Sequence, residues 1–334
     1  MYKNLVLVLS TLQLALDLGL IARQITACSS TSQDHSTKSK DYSRAKLLYA
    51  VYSALHSQLL LLAAVHYNIL PRLYAYCYAS AVEHSLMTTQ MAASLLFVLL
   101  LGLAMQLLTL PGSLYYTLVI EQHHGFNRSS LLLYLRDTLL STLLAILIGL
   151  PLIALLLVTI TYFGDSFYIY AACLFLAFTL FLNTVFPLYI QPLFNTFVPL
   201  QKGTLKTRIE HLCHELGFPL GGTSVVDGSK RSSHSNAYFY GLWSDKRIVL
   251  FDTLVQQSSV DQVVAVLAHE LGHWKHSHIW KRLFGVQLHL ALLFYVFSLV
   301  LKDELLFTSF GFLTRENVHL GKPDIVAFLL FQVP

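Results

Sequence analysis

One stretch of this 334-residue chain has the spacing of a metal-dependent hydrolase site. It reads His269-Glu270-Leu271-Gly272-His273. In a helix, residues four apart lie one turn apart on the same face, so the two imidazoles can bind one tetrahedral metal ion. Glu270 follows the first histidine and can take a proton from a metal-bound water. The spacing therefore predicts a zinc site with His269 and His273 as ligands and Glu270 as the general base.

The residues before this motif predict the helix that carries it. Ser259 and Gln262 have the spacing of a capping box, and the apolar residues that follow predict a largely buried helix. His276 lies ~10.5 Å along the axis from His269, which is too far for one zinc ion to join them. At 100° per residue, His278 is predicted to fall on the opposite face. We expect neither of these two histidines to be a ligand.

Two β-strands are predicted just upstream, at residues 236–241 and 246–251, joined by a short turn that includes Ser244 and Asp245. Two interpretations of this hairpin are open. An edge strand beside a zinc helix can pair with an extended peptide and hold its scissile bond over the metal. Alternatively, the hairpin only supports the helix.

The composition favours a membrane protein. Hydrophobic residues make up 55% of the chain, charged residues 12%, the mean hydropathy is +0.59 and the net charge is +4. These values exclude a soluble globular enzyme, a disordered chain and a nucleic-acid binder, so no nucleic acid is expected as a partner. Six apolar segments reach the length that spans a bilayer, and a seventh begins near Ile325. They lie at about 4–27, 46–70, 86–110, 137–163, 167–190 and 284–301.

The spans divide the chain into three predicted domains. A five-span bundle occupies residues 1–198, a water-facing zinc peptidase domain 199–283, and the sixth span with the start of a seventh 284–334. Residues 29–43 are rich in Ser, Thr and Lys and predict a flexible loop. Lysine and arginine in the first and third loops predict that the peptidase domain faces the cytosol. The first segment is interpreted as a retained span, with a cleaved signal peptide as the alternative.

Several blocks resemble one family, the type I CAAX prenyl proteases. The blocks include the zinc motif with Trp274 and His278, and they extend over nearly the whole chain. The others are 228–241 (GSKRSSHSNAYFYG), 246–254 (KRIVLFDTL), 42–46 (YSRAK), 120–127 (IEQHHGFN) and 192–195 (PLFN) with Pro199-Leu200.

The resemblance implies a multi-pass α-helical membrane protein of the endoplasmic reticulum. Its fold would be a helical barrel around an internal chamber, with an inserted zincin-like α+β catalytic domain. Such proteases bind one Zn²⁺ per chain and act on prenylated CAAX-box proteins or peptides in the lipid bilayer. They cleave after the prenylated cysteine and release the last three residues. Asn236 and Ala237 match the family's substrate-binding strand.

The chain also departs from the family pattern. The family's third zinc ligand is a Glu in a later helix, and no equivalent occurs before Pro334. Glu304, Glu316 and Asp324 lie outside that motif, and we expect them to be solvating groups. We therefore expect a chain truncated at its C-terminus relative to the family, and inactive or nearly so by itself. The alternative function is a non-catalytic membrane protein that binds prenylated tails.

Overall fold

The computed structural model describes residues 2–30, 37–84, 89–241, 245–301, 303–313, 320 and 322–331. Helices dominate, and a four-stranded sheet lies between the seventh and ninth of them. The α-helices are α1 (Tyr2–Ser30), α2 (Thr37–His66), α3 (Ile69–Glu83), α4 (Thr89–Tyr115), α5 (Leu131–Phe163), α6 (Phe167–Val185), α7 (Gln191–Phe194), α8 (Thr204–Leu216), α9 (Asp252–Gln257), α10 (Val260–Lys275), α11 (His278–Val300), α12 (Glu304–Ser309) and α13 (Asp324–Phe331). The strands are β1 (Phe197–Pro199), β2 (Leu220–Val226), β3 (Ala237–Tyr240) and β4 (Lys246–Phe251).

The chain forms two compact units. The first comprises Met1–Ile120, Leu140–Ala171 and Leu293–Pro334, and the second comprises Glu121–Leu139 and Ala172–Leu292. The zinc motif, the sheet and the segment around residue 125 all belong to the second unit. The predicted domain boundaries at 198/199 and 283/284 stay predictions.

The membrane-spanning character predicted from composition is confirmed. Among the described residues, five helical runs are long and apolar enough to cross a bilayer: Tyr2–Cys28, Thr37–His66, Thr89–Glu121, Leu131–Phe194 and His278–Val300. Many of their large apolar side chains are exposed, as at Leu132 (78%) and Leu147 (70%), which suits a lipid environment. Two of the six predicted spans share the 64-residue run, because only a 3₁₀ turn at Gly164–Ser166 separates α5 from α6.

Two expectations about the regions between spans are wrong. The loop predicted at 29–43 is helical from Thr37, because Lys38 and Lys40 are good helix formers that continue into α2. Residues 31–36 lie outside the described part. The sequence also did not predict α3, a 15-residue helix whose Tyr74, Cys77 and Ala81 are buried. Of the four cysteines, Cys77 and Cys213 are buried, Cys28 is partly exposed and Cys173 is exposed.

The sheet has the strand order β1-β2-β4-β3, so β3 is an edge strand. β2 pairs with β4 in parallel, while β3 pairs with β4 in antiparallel register, with Ala237 opposite Leu250. The central strand β4 supplies the fully buried Ile248 and Leu250, which pack with Ile209 of α8 and Leu267 of α10. The sheet, with its edge strand β3, therefore forms one layer of an α+β domain, and the helices α8 and α10 form the other, as predicted.

The motif helix α10 begins at the predicted capping box. The Ser259 N–H donates to Gln262 Oε1 at 2.8 Å, and the Gln262 N–H donates to Ser259 Oγ at 3.4 Å. Only the stripe Val263, Leu267 and Leu271 is buried, at i, i+4 and i+8. The expectation of a largely buried helix is therefore wrong, because one face alone packs against the sheet and α8.

Candidate metal centre and substrate strand

The two motif histidines lie on the outer face of α10. His269 and His273 each come two residues after a buried leucine, which is about 200° around the helix. Both side chains are exposed, and their ring centroids are 4.8 Å apart with the ring planes nearly perpendicular. Glu270 lies between the exposed and buried faces and is half-buried. The packing stripe of the helix therefore directs both imidazoles outward side by side.

A third histidine reaches the motif through the turn after α10. The helix ends at Lys275, Ser277 adopts a left-handed φ of 56°, and α11 begins at His278. The reversal brings His278 Nδ1 to 2.7 Å from His273 Nδ1. The expectation that His278 lies on the opposite face is wrong, because it assumed a continuous helix. Because His273 Nδ1 makes this contact with His278, Nε2 is the nitrogen of His273 that can bind a metal ion.

The predicted substrate residues stand at the start of the edge strand. Asn236 precedes β3, and its carbonyl oxygen accepts from the Phe251 N–H at 3.0 Å. Because antiparallel residues alternate, the backbone groups of Ala237 point away from β4, and Ala237 as a whole is only 2% exposed. Asn236 Oδ1 accepts from the Ala237 N–H at 2.9 Å, which leaves the Asn236 Nδ2 group to donate. The hairpin prediction is confirmed for the described residues; of its turn, residues 242–244 lie outside them.

One arginine holds the segment that leads into β3. Arg231 donates twice to Asp137, from Nε at 2.6 Å and from Nη2 at 3.0 Å, and once to Asn195 Oδ1 at 2.8 Å from Nη1. Its carbonyl oxygen accepts from the Arg128 N–H at 3.0 Å. Arg231 and Asn195 lie in two of the blocks that resemble the family, but the sequence patterns assign neither residue a role. Their wide separation along the chain concealed the contact.

The block at 120–127 contacts the same lead-in segment. Phe126 stacks on the His234 ring with centroids 4.4 Å apart, and Glu121 Oε2 lies 3.5 Å from His234 Nε2. The Ser233 N–H donates to the Phe126 carbonyl oxygen at 3.0 Å. Within β3, the Tyr238 hydroxyl donates to Gln191 at 3.1 Å, and burial raises the pKa of this phenol. Four contacts thus orient the strand beside α10.

The donor set fits part of a zinc site. Two imidazoles from adjacent turns, one with its Nδ1 held by a neighbour, are the usual histidine half of a catalytic zinc site. Within the described ranges, no group of three His, Cys, Asp or Glu side chains could hold a metal ion. Glu304 pairs with Lys322 at 2.7 Å instead. Glu316 lies outside the described residues.

Comparisons with known proteins agree with this geometry. Residues 26–196 match the model of the CAAX prenyl protease N-terminal domain with five membrane helices, and residues 199–333 match the model of peptidase family M48. The chain belongs to the CAAX prenyl protease 1 family of M48 peptidases. A metal cofactor is a property of that peptidase family.

Relatives of this family member come from distant eukaryotes. CAAX prenyl protease 1 of Saccharomyces cerevisiae is 37% identical over 308 residues, covering 88% of this chain and 68% of the relative. The rice homologue is 46% identical over 228 residues, and the match covers 68% of this chain and 52% of the homologue. The chain thus spans between half and about two thirds of these relatives.

A solved structure shares the fold. The crystal structure of S. mikatae Ste24p matches with a TM-score of 0.90 and 34% sequence identity, over 99% of this chain and 81% of that one. The multi-pass α-helical architecture with a small mixed sheet is therefore the family fold.

Proposed function

We propose that this chain carries the zinc endopeptidase site of a CAAX prenyl protease. The reaction is cleavage after the prenylated cysteine of a CAAX-box protein, with release of the C-terminal tripeptide. The substrates are prenylated proteins or peptides reached from the bilayer. The proposed assignments are His269 and His273 as zinc ligands, Glu270 as general base, and Asn236 with Ala237 as the substrate strand.

A single juxtaposition carries this proposal. The exposed His269 and His273 of α10 and the β3 edge strand belong to one packed unit, since the buried Ala237 and Leu267 share its core. A peptide paired along β3 would lie next to the helix that holds the histidines. The family membership supports the same substrate class.

Each residue of the site has a proposed role in the hydrolysis. When bound, zinc supplies a water of lowered pKa and polarises the scissile carbonyl. The Glu270 carboxylate accepts the proton of the attacking water and passes it to the leaving amide nitrogen. The Asn236 Nδ2 group and the Ala237 carbonyl oxygen hold the peptide extended. With its Nε2 turned to the metal, His273 would donate its Nδ1–H to His278 Nδ1, and this contact keeps the His273 ring in one orientation.

We also propose that these 334 residues by themselves are inactive or nearly so. Catalytic zinc sites generally have three protein ligands, and the described residues supply two in this place. Two histidines hold zinc weakly, and the general base then has no activated water to act on. This expectation concerns the isolated polypeptide alone.

A second function has one observation in its favour. The missing third ligand among the described residues suits a non-catalytic membrane protein that binds prenylated tails. Such a protein would bind a farnesylated peptide without cutting it, and replacing Glu270 with Gln would change nothing. The peptidase hypothesis is favoured because Glu270, the proposed general base, is retained between the two exposed histidines.

The proposed location is the endoplasmic reticulum membrane, with the peptidase domain of residues 199–283 toward the cytosol. The positive residues of the first and third loops support this orientation. A prenylated tail made in the cytosol would then meet β3 directly.

The test uses the protein as its source cells make it and, in parallel, the 334-residue polypeptide in detergent. A farnesylated CAAX peptide is incubated with each, tripeptide release is followed by mass spectrometry, and zinc is measured by elemental analysis. We expect release from the first, loss of at least about 10³-fold in Glu270→Gln, and loss on chelation with 1,10-phenanthroline. Glu215→Gln, in an exposed helix position of α8, is the matched control.

Three outcomes would count against parts of this proposal. Unchanged cleavage in Glu270→Gln would remove the general-base role. Binding of the peptide without release by the protein from its source cells would favour the tail-binding function. Normal turnover by the 334-residue polypeptide would show that its zinc site is complete and that the inactivity prediction is wrong.

A further inference from the structure

A small basic pocket opens where α10 ends and α11 begins. Its volume is about 220 Å³. None of the described residues that line it carries a carboxyl group. The pocket is lined by two lysines, two tryptophans, one serine, one leucine, one isoleucine and one glycine. Its polar and aromatic members are Lys246, Lys275, Trp274, Trp280 and Ser277.

The chemistry of the pocket centres on Lys246. This residue opens β4 and is only 7% exposed, and its Nζ donates to the Gly241 carbonyl oxygen at 3.0 Å. An ammonium group has three N–H donors, so two remain. In the part of the chain that the structure describes, no carboxylate pairs with Lys246 or with Lys275. Burial lowers the pKa of Lys246, as expected for a cation without a counter-charge.

The pocket lies at the end of a membrane span. The run His278–Val300 is long and apolar enough to cross a bilayer, and Ile279 and Trp280 form its first turn. Both side chains are more than 40% exposed. Tryptophan and lysine side chains prefer the boundary between lipid headgroups and water. The N-terminus of α11 adds the positive end of a 23-residue helix dipole to the same place.

We propose that this pocket binds the phosphate of an anionic membrane phospholipid. The Lys246 and Lys275 ammonium groups donate to the phosphate oxygens, and the Trp274 and Trp280 rings contact the glycerol region. The pocket volume suits a phosphodiester headgroup, whose acyl chains would continue along α11 in the bilayer. The lipid would tie the C-terminal end of the motif helix to the membrane surface. This binding site does not depend on peptidase activity.

The test measures lipid binding by the full chain in a neutral detergent. Dioctanoyl-phosphatidylglycerol and dioctanoyl-phosphatidylcholine are titrated separately, and the melting temperature is followed by scanning fluorimetry. We expect a saturable rise with phosphatidylglycerol and none with phosphatidylcholine. Lys275→Gln should weaken the apparent affinity about tenfold, because one charge-assisted contact is lost. Lys246→Met should abolish the effect.

The control removes the same charge at the same membrane surface without altering the pocket. Lys281 lies on the exposed side of α11 and does not line the pocket, so Lys281→Gln should leave the affinity unchanged. An equal loss in Lys281→Gln and Lys275→Gln would overturn the proposal in favour of general surface charge. Equal effects of the two lipids would also overturn it. Competition by inorganic phosphate at similar concentrations would assign the site to a soluble phosphate and refute the lipid source.

Because Lys246 is buried, its substitution tests folding as well as binding. Lys275 is exposed, so Lys275→Gln keeps the fold and carries the decision if Lys246→Met fails to fold. Unchanged phosphatidylglycerol affinity in Lys275→Gln would contradict the proposal by itself.

Discussion

Replacing Arg231 with Met should destabilise the unit that carries the motif helix. The guanidinium makes three hydrogen bonds of 2.6–3.0 Å, two to Asp137 and one to Asn195. The Arg231 and Asp137 side chains are only 22% and 21% exposed. Methionine keeps the unbranched aliphatic stem but removes every donor. Asp137 then remains as a partly buried carboxylate without its cation.

The magnitude follows from burial. Removing one partner of a fully buried ion pair costs about 3–5 kcal/mol, whereas exposed pairs contribute about 0–1 kcal/mol. At one-fifth exposure the pair is nearer the buried limit, so we expect a loss of about 2–3 kcal/mol. For a unit of this size that loss corresponds to a melting temperature lower by about 4–12 °C.

The assay is scanning fluorimetry of the full chain in detergent, with Arg208→Met as the matched control. Arg208 makes an equally short contact to Asp261, 2.8 Å, but the two side chains are 54% and 80% exposed. The same substitution there should cost about 0.5 kcal/mol, or about 1–2 °C. The difference between the two variants compares a largely buried arginine that makes three hydrogen bonds with an exposed arginine that makes one.

A second variant tests the cause of the loss. Adding Asp137→Leu to Arg231→Met removes the stranded carboxylate and should restore part of the stability, because the buried charge is gone. If Arg231→Met lowers the melting temperature no more than Arg208→Met, the reasoning is refuted. Strictly additive losses in the double variant would refute it as well.

Two other predictions concern the site and the sheet core. His278→Ala should weaken zinc binding about 10–100-fold, because the contact to His273 is lost. Zinc affinity is measured by competition with a chromophoric chelator, with His276→Ala in the same turn as the control. Equal losses of zinc affinity in the two variants would argue against a role for the contact. Burial raises the pKa of the Cys213 thiol to about 11. At pH 8 its thiolate fraction is then about 10⁻³, against about 0.2 for a thiol of ordinary pKa, so iodoacetamide should modify Cys213 about 200-fold more slowly in the folded chain than in urea. Because the folded chain favours the neutral thiol, Cys213 contributes to folding stability at low pH. This contribution is fully present below about pH 8.5, the ordinary pKa of a thiol, and is lost as the pH rises toward 11. Equal alkylation rates in the folded and urea-unfolded states, measured by mass spectrometry, would contradict the raised pKa of Cys213.

Local patterns were enough to predict the motif helix and the hairpin. The Ser259–Gln262 capping box depends on residues three apart, and the His269–His273 pair on residues four apart, so both follow from helix geometry. The strands at 237–240 and 246–251 follow from a short alternation of side chains. Apolar length alone likewise indicated the spans. Each of these features is encoded within one turn, one strand or one bilayer thickness.

Tertiary structure decided how these elements meet. The left-handed Ser277 returns His278 to His273, and no periodicity in the sequence reveals a single residue's change of φ. Arg231 and Asp137 are 94 positions apart, and their contact depends on the packing of α5 against the lead-in to β3. The small basic pocket similarly needs the start of β4 beside the end of α10. Such contacts arise from chain crossings, whose geometry is set by the whole core and not by any local spacing.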